Sequence, residues 1–201
     1  MLLYNRDDCP YCWKVRLVLS FAGVSFETIT VERGTKHPDM AKYNTGTVPI
    51  MVDEVADDKL VLTESAIQAE YINEAYAKGM FLTSTPSRNA AIRQLHQYSD
   101  ATFGKPIFAY LSEIRNHPQE ERRADIMQQA EEDFAAGLRF LSTKADILGG
   151  PQKPNLADCA LYPRFALAKQ YGLDFTKEPQ FVAWFDEMTA HRAVQAAEKT
   201  A

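Results

Sequence analysis

Two cysteines near the start of the chain have the spacing of a thiol–disulfide pair. The stretch Cys9-Pro10-Tyr11-Cys12 stands immediately before an amphipathic run. Proline is favoured at the first position of a helix, because its missing N–H would have had no partner there. Pro10 therefore predicts a helix that begins at residue 10, with Cys9 as its N-cap.

The start of a helix favours the thiolate form of a cysteine. The free backbone N–H groups of Tyr11 and Cys12 and the positive end of the helix dipole would face the sulfur of Cys9. The thiolate is the nucleophile, and the pKa of a free cysteine is about 8.5, so we expect the pKa of Cys9 to lie well below that value. Cys12 is close enough in sequence to attack a mixed disulfide on Cys9. The pair predicts redox or thiol-transfer chemistry with Cys9 as the attacking group.

Two other interpretations of the cysteine pair stay open. A zinc site needs further ligands, and the chain adds only one more cysteine, Cys159, and four scattered histidines without a second paired motif. We therefore expect no metal. A purely structural disulfide is the second interpretation, although a bridge across so short a loop restrains little of the unfolded chain.

Hydrophobic periodicity predicts the elements that position the pair. In the first part of the chain, strands are expected at residues 2–5, 26–31, 48–53 and 59–63. Helices are expected at residues 10–22 and 64–79. The first strand, helix and second strand form a βαβ unit, whose two strands run parallel. The last two strands predict an antiparallel hairpin with a loop at residues 54–58.

The second part of the chain reads as helical. A polar connector that contains proline occupies residues 80–88, and no strand-like stretch follows it. Helices are expected at residues 89–116 (bent near Pro106), 118–144, 155–172 and 179–198. Asn155 and Asp158 are interpreted as the capping pair of the third of these. We expect an α/β domain at residues 1–79, a linker at 80–88 and an all-helical domain at 89–201.

Composition limits the classes of partner and the compartment. The chain has 201 residues, 46% hydrophobic and 24% charged, which suffices for one large domain or two small ones. The net charge is −5 and no lysine/arginine-rich cluster is present, so we expect neither a nucleic-acid nor an anionic-membrane partner. No apolar run approaches the roughly 20 residues of a membrane span. The N-terminus has no signal-like segment, and three cysteines do not suit a secreted disulfide framework, so we expect a cytoplasmic protein.

The motifs, taken in order, resemble those of the glutathione transferase superfamily. They are the glutaredoxin-type CPYC, the Val-Pro of TVPIMVD, the Glu-Ser of LTESAIQAEYI, and NLADCALYPRF, which is similar to the superfamily's helix capping box. The resemblance covers nearly the whole chain and is to cysteine-type members, such as the beta, omega and lambda classes and the two-domain glutaredoxin. It implies a thioredoxin-like N-terminal domain that binds glutathione, followed by a C-terminal helical bundle. A homodimer is compatible with it.

The resemblance implies a role for each motif residue. Cys9 and Cys12 would be catalytic, and glutathione would be a cosubstrate. The residues that would contact glutathione are Cys9, Tyr11, Lys36, Val48, Pro49, Glu64 and Ser65.

The implied contacts divide glutathione into three parts. A cis bond before Pro49 would free the backbone of Val48 to pair with the cysteinyl part. Glu64 and Ser65 would hold the γ-glutamyl end, and Lys36 would lie near the glycyl carboxylate. The plainer interpretations are that Glu64 and Ser65 cap a helix and that Lys36 is a solvated loop residue.

The resemblance favours glutathione-dependent thiol transfer or reduction, in which Cys9 forms mixed disulfides that glutathione resolves. The other substrate would be a disulfide or a small electrophile or oxidant such as dehydroascorbate. One alternative is conjugation or isomerisation with glutathione. Another is a non-enzymatic regulator that resembles stringent starvation protein A and binds RNA polymerase.

Overall fold

The computed structural model describes residues 1–55 and 58–198, which form two compact units. The first unit holds Met1–Leu82 together with the chain from Ala190 onward, and the second holds Thr83–Thr189. The division expected from the sequence, at residues 79, 80–88 and 89–201, remains a prediction, and residues 199–201 lie outside the described part.

The secondary structure is an α/β arrangement followed by helices. The strands are β1 (Leu2–Asn5), β2 (Glu27–Thr30), β3 (Ile50–Val55) and β4 (Asp58–Leu62). The α-helices are α1 (Pro10–Ala22), α2 (Ser65–Ala75), α3 (Pro86–Tyr98), α4 (Gly104–Asn116), α5 (Ala124–Ser142), α6 (Leu156–Tyr171), α7 (Pro179–Ala190) and α8 (Arg192–Glu198). In the described part, no helix has the length and apolar character to cross a membrane.

The first unit is built on a four-stranded mixed sheet in the order β2-β1-β3-β4. β1 runs parallel to β2 and antiparallel to β3, and β3 and β4 form an antiparallel hairpin. This confirms the predicted fold class, a thioredoxin-like α/β domain followed by helices. The hairpin loop predicted at residues 54–58 is wrong at its ends, since Glu54, Val55 and Asp58 belong to paired strands. Ala56 and Asp57 lie outside the described residues.

Helix α1 begins and ends where the sequence predicts. Pro10 is its first residue, and Gly23 closes it with a φ of 68°, a left-handed conformation that glycine adopts without strain. Seven of its thirteen residues are buried, and it packs against α2 and α8. The cysteine pair therefore lies at the start of a helix that two other helices cover in part.

The buried face of α2 includes two amide side chains, whereas one of its large apolar side chains is exposed. Ile67 is 55% exposed, whereas Gln68 and Asn73 are almost completely buried. Burial of these two amides is tolerated because each binds the backbone. Gln68 donates to two carbonyls, and the Oδ1 of Asn73 accepts from the N–H of Phe81.

The second unit contains α3 to α7 up to Thr189. A π-helical segment, Ser99–Phe103, separates α3 from α4 just before Pro106, so the helix predicted at 89–116 is interrupted there. The helix predicted at 118–144 starts only at Ala124, after a short 3-10 turn. The single helix predicted at 179–198 is wrong, because α7 ends at Ala190 and α8 begins at Arg192.

The capping pair of α6 is confirmed. Asn155 Oδ1 accepts from the first turn of the helix, and Asp158 accepts from the N–H of Asn155. Asp158 also accepts from the N–H groups of Gly149 and Gly150 and from Trp184 Nε1. Burial nevertheless raises the pKa of Asp158 to about 6. These contacts tie the preceding loop and α7 to the start of α6.

Candidate active site

Cys9 occupies the N-cap position of α1. Its backbone is extended, with φ −90° and ψ 116°, and its carbonyl accepts the first helical hydrogen bond, from the N–H of Trp13, at 2.9 Å. The N–H of Cys9 donates to the carbonyl of Arg6 at 3.1 Å, which closes the turn between β1 and the helix. The thiol is free and buried, with 3% of the residue exposed.

Several groups stabilise the thiolate of Cys9. The largest effect comes from the thiol of Cys12, which donates a hydrogen bond to it; backbone N–H groups of Cys12 and Tyr11 and the charge of Arg6 act in the same direction. Together they outweigh burial and lower the pKa of Cys9 to about 6. The direction agrees with the sequence prediction, but the leading cause differs, since that prediction credited the helix N-terminus alone.

Cys12 has the opposite character. It is completely buried, and burial together with the neighbouring Cys9 raises the pKa of its thiol. At neutral pH the pair therefore holds one thiolate, at Cys9, and one thiol, at Cys12. This asymmetry is what an attacking and a second thiol require. The described residues contain no group of three His, Cys, Asp or Glu side chains placed to hold a metal ion.

The Val48–Pro49 segment lies directly beside Cys9. The Val48–Pro49 peptide bond is cis, as the resemblance predicts. The carbonyl of Val48 is 3.8 Å from the Sγ of Cys9, within reach of its S–H. Pro49 is buried at the start of β3, and Val48 is partly exposed. A backbone edge is thus available next to the sulfur.

Glu64 and Ser65 stand at the start of α2. Glu64 is exposed and takes the N-cap position, but its side chain makes no capping hydrogen bond. Ser65 is 8% exposed. One turn later, the Nε2 of Gln68 donates to the carbonyls of Pro49 at 3.0 Å and Leu62 at 2.8 Å. Gln68 therefore fixes the start of α2 against the Pro49 segment.

Lys36 and Tyr11 lie on exposed parts of the same unit. A Cβ placed on Gly46 would lie 3.9 Å from the Nζ of Lys36, so this amine stands over the loop that leads to Val48. Tyr11 is 36% exposed in the first turn of α1.

The structure brings some of the predicted site residues together and leaves others apart. Cys9 interacts with Cys12 and with the carbonyl of Val48, and Gln68 of α2 binds the carbonyl of Pro49. Among the described residues, no hydrogen bond or ion pair joins Lys36, Glu64 or Ser65 to Cys9. Their roles remain predictions.

Two buried polar residues of this site, Gln68 and Arg16, are not among the residues predicted from the sequence. Arg16 stands one helical turn after Cys12 and is 1% exposed. Each residue had a signal in the sequence, because each is a polar side chain at a position of helical spacing that faces the core. Gln68 lies between Ser65 and Ile72 on the buried face of its helix, and Arg16 lies at position i+4 from Cys12.

The N-terminal part of the chain matches a known family, and proteins of two kinds are similar to most of its length. Residues 8–75 match the family described as glutathione S-transferase, N-terminal domain. Glutathione S-transferase GstB of Escherichia coli is 24% identical over 96% of this chain and 95% of its own length. A stringent starvation protein A homolog of Haemophilus influenzae is 27% identical over 88% of this chain and 78% of its own length.

The fold has the same relatives. Maleylacetoacetate isomerase from Anaeromyxobacter dehalogenans, solved with glutathione bound in its active site, superposes with a TM-score of 0.79 at 24% identity. The match covers 98% of this chain and 93% of the isomerase. The family match at the cysteine end and these full-length similarities agree with the observed sheet, cis bond and capped α6. Residues 8–75 are therefore similar to a glutathione S-transferase N-terminal domain, and nearly the whole chain is similar to glutathione S-transferase GstB.

Proposed function

We propose that this protein is a glutathione-dependent thiol transferase or reductase in which Cys9 forms mixed disulfides. The observation that carries the proposal is the asymmetric cysteine pair: a thiolate-favouring Cys9 at a helix N-terminus, hydrogen-bonded by the thiol of Cys12. A transferase that activates glutathione with a hydroxyl group has no use for such a thiolate, because the nucleophile would then be glutathione itself.

The reaction consists of two thiol–disulfide exchanges. The Cys9 thiolate attacks the glutathione sulfur of a substrate–glutathione disulfide; the Cys9–glutathione bond forms, and the substrate leaves as a thiolate that takes a proton. A second glutathione thiolate then attacks the glutathione sulfur on Cys9, and the Cys9 thiolate leaves. The substrate is reduced to its thiol, and its glutathione half leaves joined to the second glutathione as glutathione disulfide.

The neighbouring residues would hold glutathione during these steps. The backbone of Val48 would pair with the cysteinyl part, beside the sulfur of Cys9. The ammonium group of the γ-glutamyl end would bind Glu64, and its carboxylate would bind Ser65 at the helix N-terminus. The side chain of Glu64 is exposed and makes no capping hydrogen bond, which supports this assignment over a purely capping role. Lys36 would contact the glycyl carboxylate, and Tyr11 would border the sulfur.

Substitution of each cysteine tests the proposal. With glutathione-coupled reduction of a mixed disulfide as the assay, Cys9→Ser should lose nearly all activity. Cys12→Ser should keep most of it, because glutathione itself resolves the intermediate. Cys159→Ser is the matched control for loss of a buried thiol. Equal, complete loss in the Cys9 and Cys12 variants would instead indicate an obligatory dithiol exchange.

Two other functions are supported by the similarities to the isomerase and to the stringent starvation protein A homolog. Conjugation or isomerisation would appear as activity towards an aromatic halide or an isomerisable substrate that survives Cys9→Ser. A regulator without catalysis would neither bind immobilised glutathione nor reduce mixed disulfides. The same purified protein can be compared in all three assays.

A further inference from the structure

Arg16 is a buried cation, and its hydrogen bonds within residues 1–55 and 58–198 go to neutral oxygens. Its Nη1 donates to Asn5 Oδ1 at 2.5 Å, its Nη2 to the carbonyl of Asp7 at 3.3 Å, and its Nε to the carbonyl of Ala197 at 2.9 Å. Burial lowers the pKa of Arg16, and the negative charges of Cys12, Asp7 and Cys9 act in the opposite direction. Of these three, the charge of the Cys12 thiolate has the largest effect on Arg16.

The thiol of Cys12 lies in the right place for its thiolate to interact with Arg16. Residues four apart on a helix face the same side, about 5–6 Å apart between Cβ atoms, so the guanidinium lies one turn from the thiol. Both residues are almost completely buried, where the attraction between charges is screened less than at the surface. The positive charge of Arg16 favours the thiolate of Cys12, as does the backbone N–H of Arg6.

The C-terminal helix α8 holds Arg16 in this position. Ala197 is in the last turn of α8, where backbone carbonyls lack partners within the helix, and its carbonyl accepts from Arg16. A second hydrogen bond, from Ser20 Oγ to the carbonyl of Ala193 at 2.7 Å, also joins α1 to α8. Val194 is fully buried. The docking of α8 and the orientation of the guanidinium are therefore connected.

We propose that Arg16 is a positioning residue that activates Cys12 as a second nucleophile, and that docking of α8 keeps it in place. This inference rests on the proposed function, because Cys12 acts only after glutathione has been attached to Cys9. The Cys12 thiolate attacks the Cys9 sulfur; the Cys9–Cys12 disulfide forms, the Cys9–glutathione bond breaks, and glutathione leaves as a thiolate that takes a proton. This ring closure competes with resolution by a second glutathione.

The effect of Arg16 on the Cys12 thiol matters most after glutathione has been attached to Cys9. While Cys9 is a thiolate, its charge and the hydrogen bond it accepts from Cys12 keep Cys12 protonated. Attachment of glutathione removes both effects. Burial then opposes ionisation of Cys12, and the charge of Arg16 and the N–H of Arg6 favour it. Arg16 thus supplies the charge that the second thiol needs once the first has reacted.

The pH profile of Cys12 alkylation tests, without glutathione, whether the charge of Arg16 lowers the pKa of Cys12. With Cys9 and Cys159 replaced by serine, the midpoint of reaction with iodoacetamide should rise by about one unit or more in Arg16→Gln, since a charge at this separation acts through a low effective dielectric. Arg16→Lys, which keeps the charge but offers a different donor geometry, should shift the midpoint less. Arg88→Gln, which removes an exposed cation of the second unit, should leave it unchanged.

The rate of ring closure tests whether Arg16 speeds the attack of Cys12 on the Cys9–glutathione adduct. The Cys9–glutathione adduct is prepared in the Cys159→Ser protein, and loss of glutathione is followed by mass spectrometry. Each unit of increase in the pKa of Cys12 lowers its thiolate fraction tenfold but raises its nucleophilicity roughly threefold, so Arg16→Gln should close about threefold more slowly per unit. Arg88→Gln, which removes a cation of the second unit, should close at the wild-type rate.

The role of α8 is tested with Val194→Asp, which should undock the helix. Faster amide exchange at residues 192–198 with slower ring closure supports the connection between α8 and Arg16. Faster exchange with unchanged closure overturns it.

An unchanged alkylation midpoint and closure rate in folded Arg16→Gln overturns the role of Arg16. If Arg16→Gln does not fold, the alkylation midpoint and the closure rate of Arg16→Lys test the role of Arg16. The closure rate of Val194→Asp then tests the role of α8. If the wild-type protein forms no adduct with glutathione, the proposed function is wrong. The alkylation profile needs no glutathione, so it tests the effect of Arg16 on Cys12 separately from the proposed function.

Discussion

Replacement of Cys12 by alanine should raise the pKa of Cys9. The thiol of Cys12 is the largest cause of the lowered pKa, ahead of the backbone N–H groups of the helix and the charge of Arg6. Alanine removes this donor and leaves the helix start unchanged. Serine at the same position offers an O–H donor and should preserve more of the effect.

The size of the change follows from the strength of the bond. A hydrogen bond to a charged group is worth about 1.5–3 kcal/mol, and one pKa unit corresponds to about 1.4 kcal/mol. Cys12→Ala should therefore raise the pKa of Cys9 from about 6 by roughly one to two units. At pH 7 the thiolate fraction would fall from about nine-tenths to between one-half and one-tenth.

The assay must be a complete titration. A cysteine of higher pKa is also a better nucleophile, so the alkylation rate at one pH changes little even when the pKa moves by a unit. Thiolate absorbance of Cys9 should be followed against pH in the Cys159→Ser background, with Cys12 present, replaced by alanine, or replaced by serine. Identical midpoints in all three proteins would refute the reasoning and return the lowered pKa to the helix N-terminus.

Three further predictions concern binding and stability. Glu64→Ala should weaken glutathione binding by roughly 10- to 100-fold in calorimetric titration. The Tm should change little, because the side chain makes no capping bond. Unchanged affinity with a lower Tm would instead make Glu64 a helix cap. Asp158→Asn should destabilise the protein by about 2–4 kcal/mol in urea unfolding, because the amide cannot accept from all the donors that the carboxylate holds, among them Trp184. The bond to Arg123 lowers the folded-state pKa of Glu113 to about 2 from an ordinary 4.5, so its contribution is present above pH 4.5 and lost as the pH falls through 2. The Tm of Glu113→Gln should accordingly lie below wild type at pH 7 and approach it near pH 2; a constant difference would argue against the ionic origin.

Much of the fold was predictable because local signals agreed with tertiary packing. Helix α1 has a proline at its start and a glycine after its end, and both limits are observed. The βαβ connection fixed the parallel pair. The capping pair of α6 was recognised because Asn155 and Asp158 stand three apart at the start of an apolar run.

The errors have a common physical origin, which is that polar groups satisfied by tertiary contacts do not follow hydrophobic periodicity. Periodicity does not place Gln68 and Asn73 on a buried face, yet both are buried, with the Nε2 of Gln68 and the Oδ1 of Asn73 bound to backbone groups. Arg16 is likewise buried, and its Nε donates to the carbonyl of Ala197. The break near His191 carries no glycine or proline, so no local signal separated α7 from α8.

The most direct test of the central claim is the identity of the cysteine that carries glutathione during turnover. The Cys12→Ser protein, which cannot close the ring, is mixed with a glutathione mixed disulfide, quenched with acid and analysed by peptide mass spectrometry. We predict glutathione on Cys9 and not on Cys159, discharged by a second glutathione at the turnover rate. Turnover without an adduct on Cys9, or undiminished turnover in Cys9→Ser, would contradict the claim that Cys9 is the nucleophile.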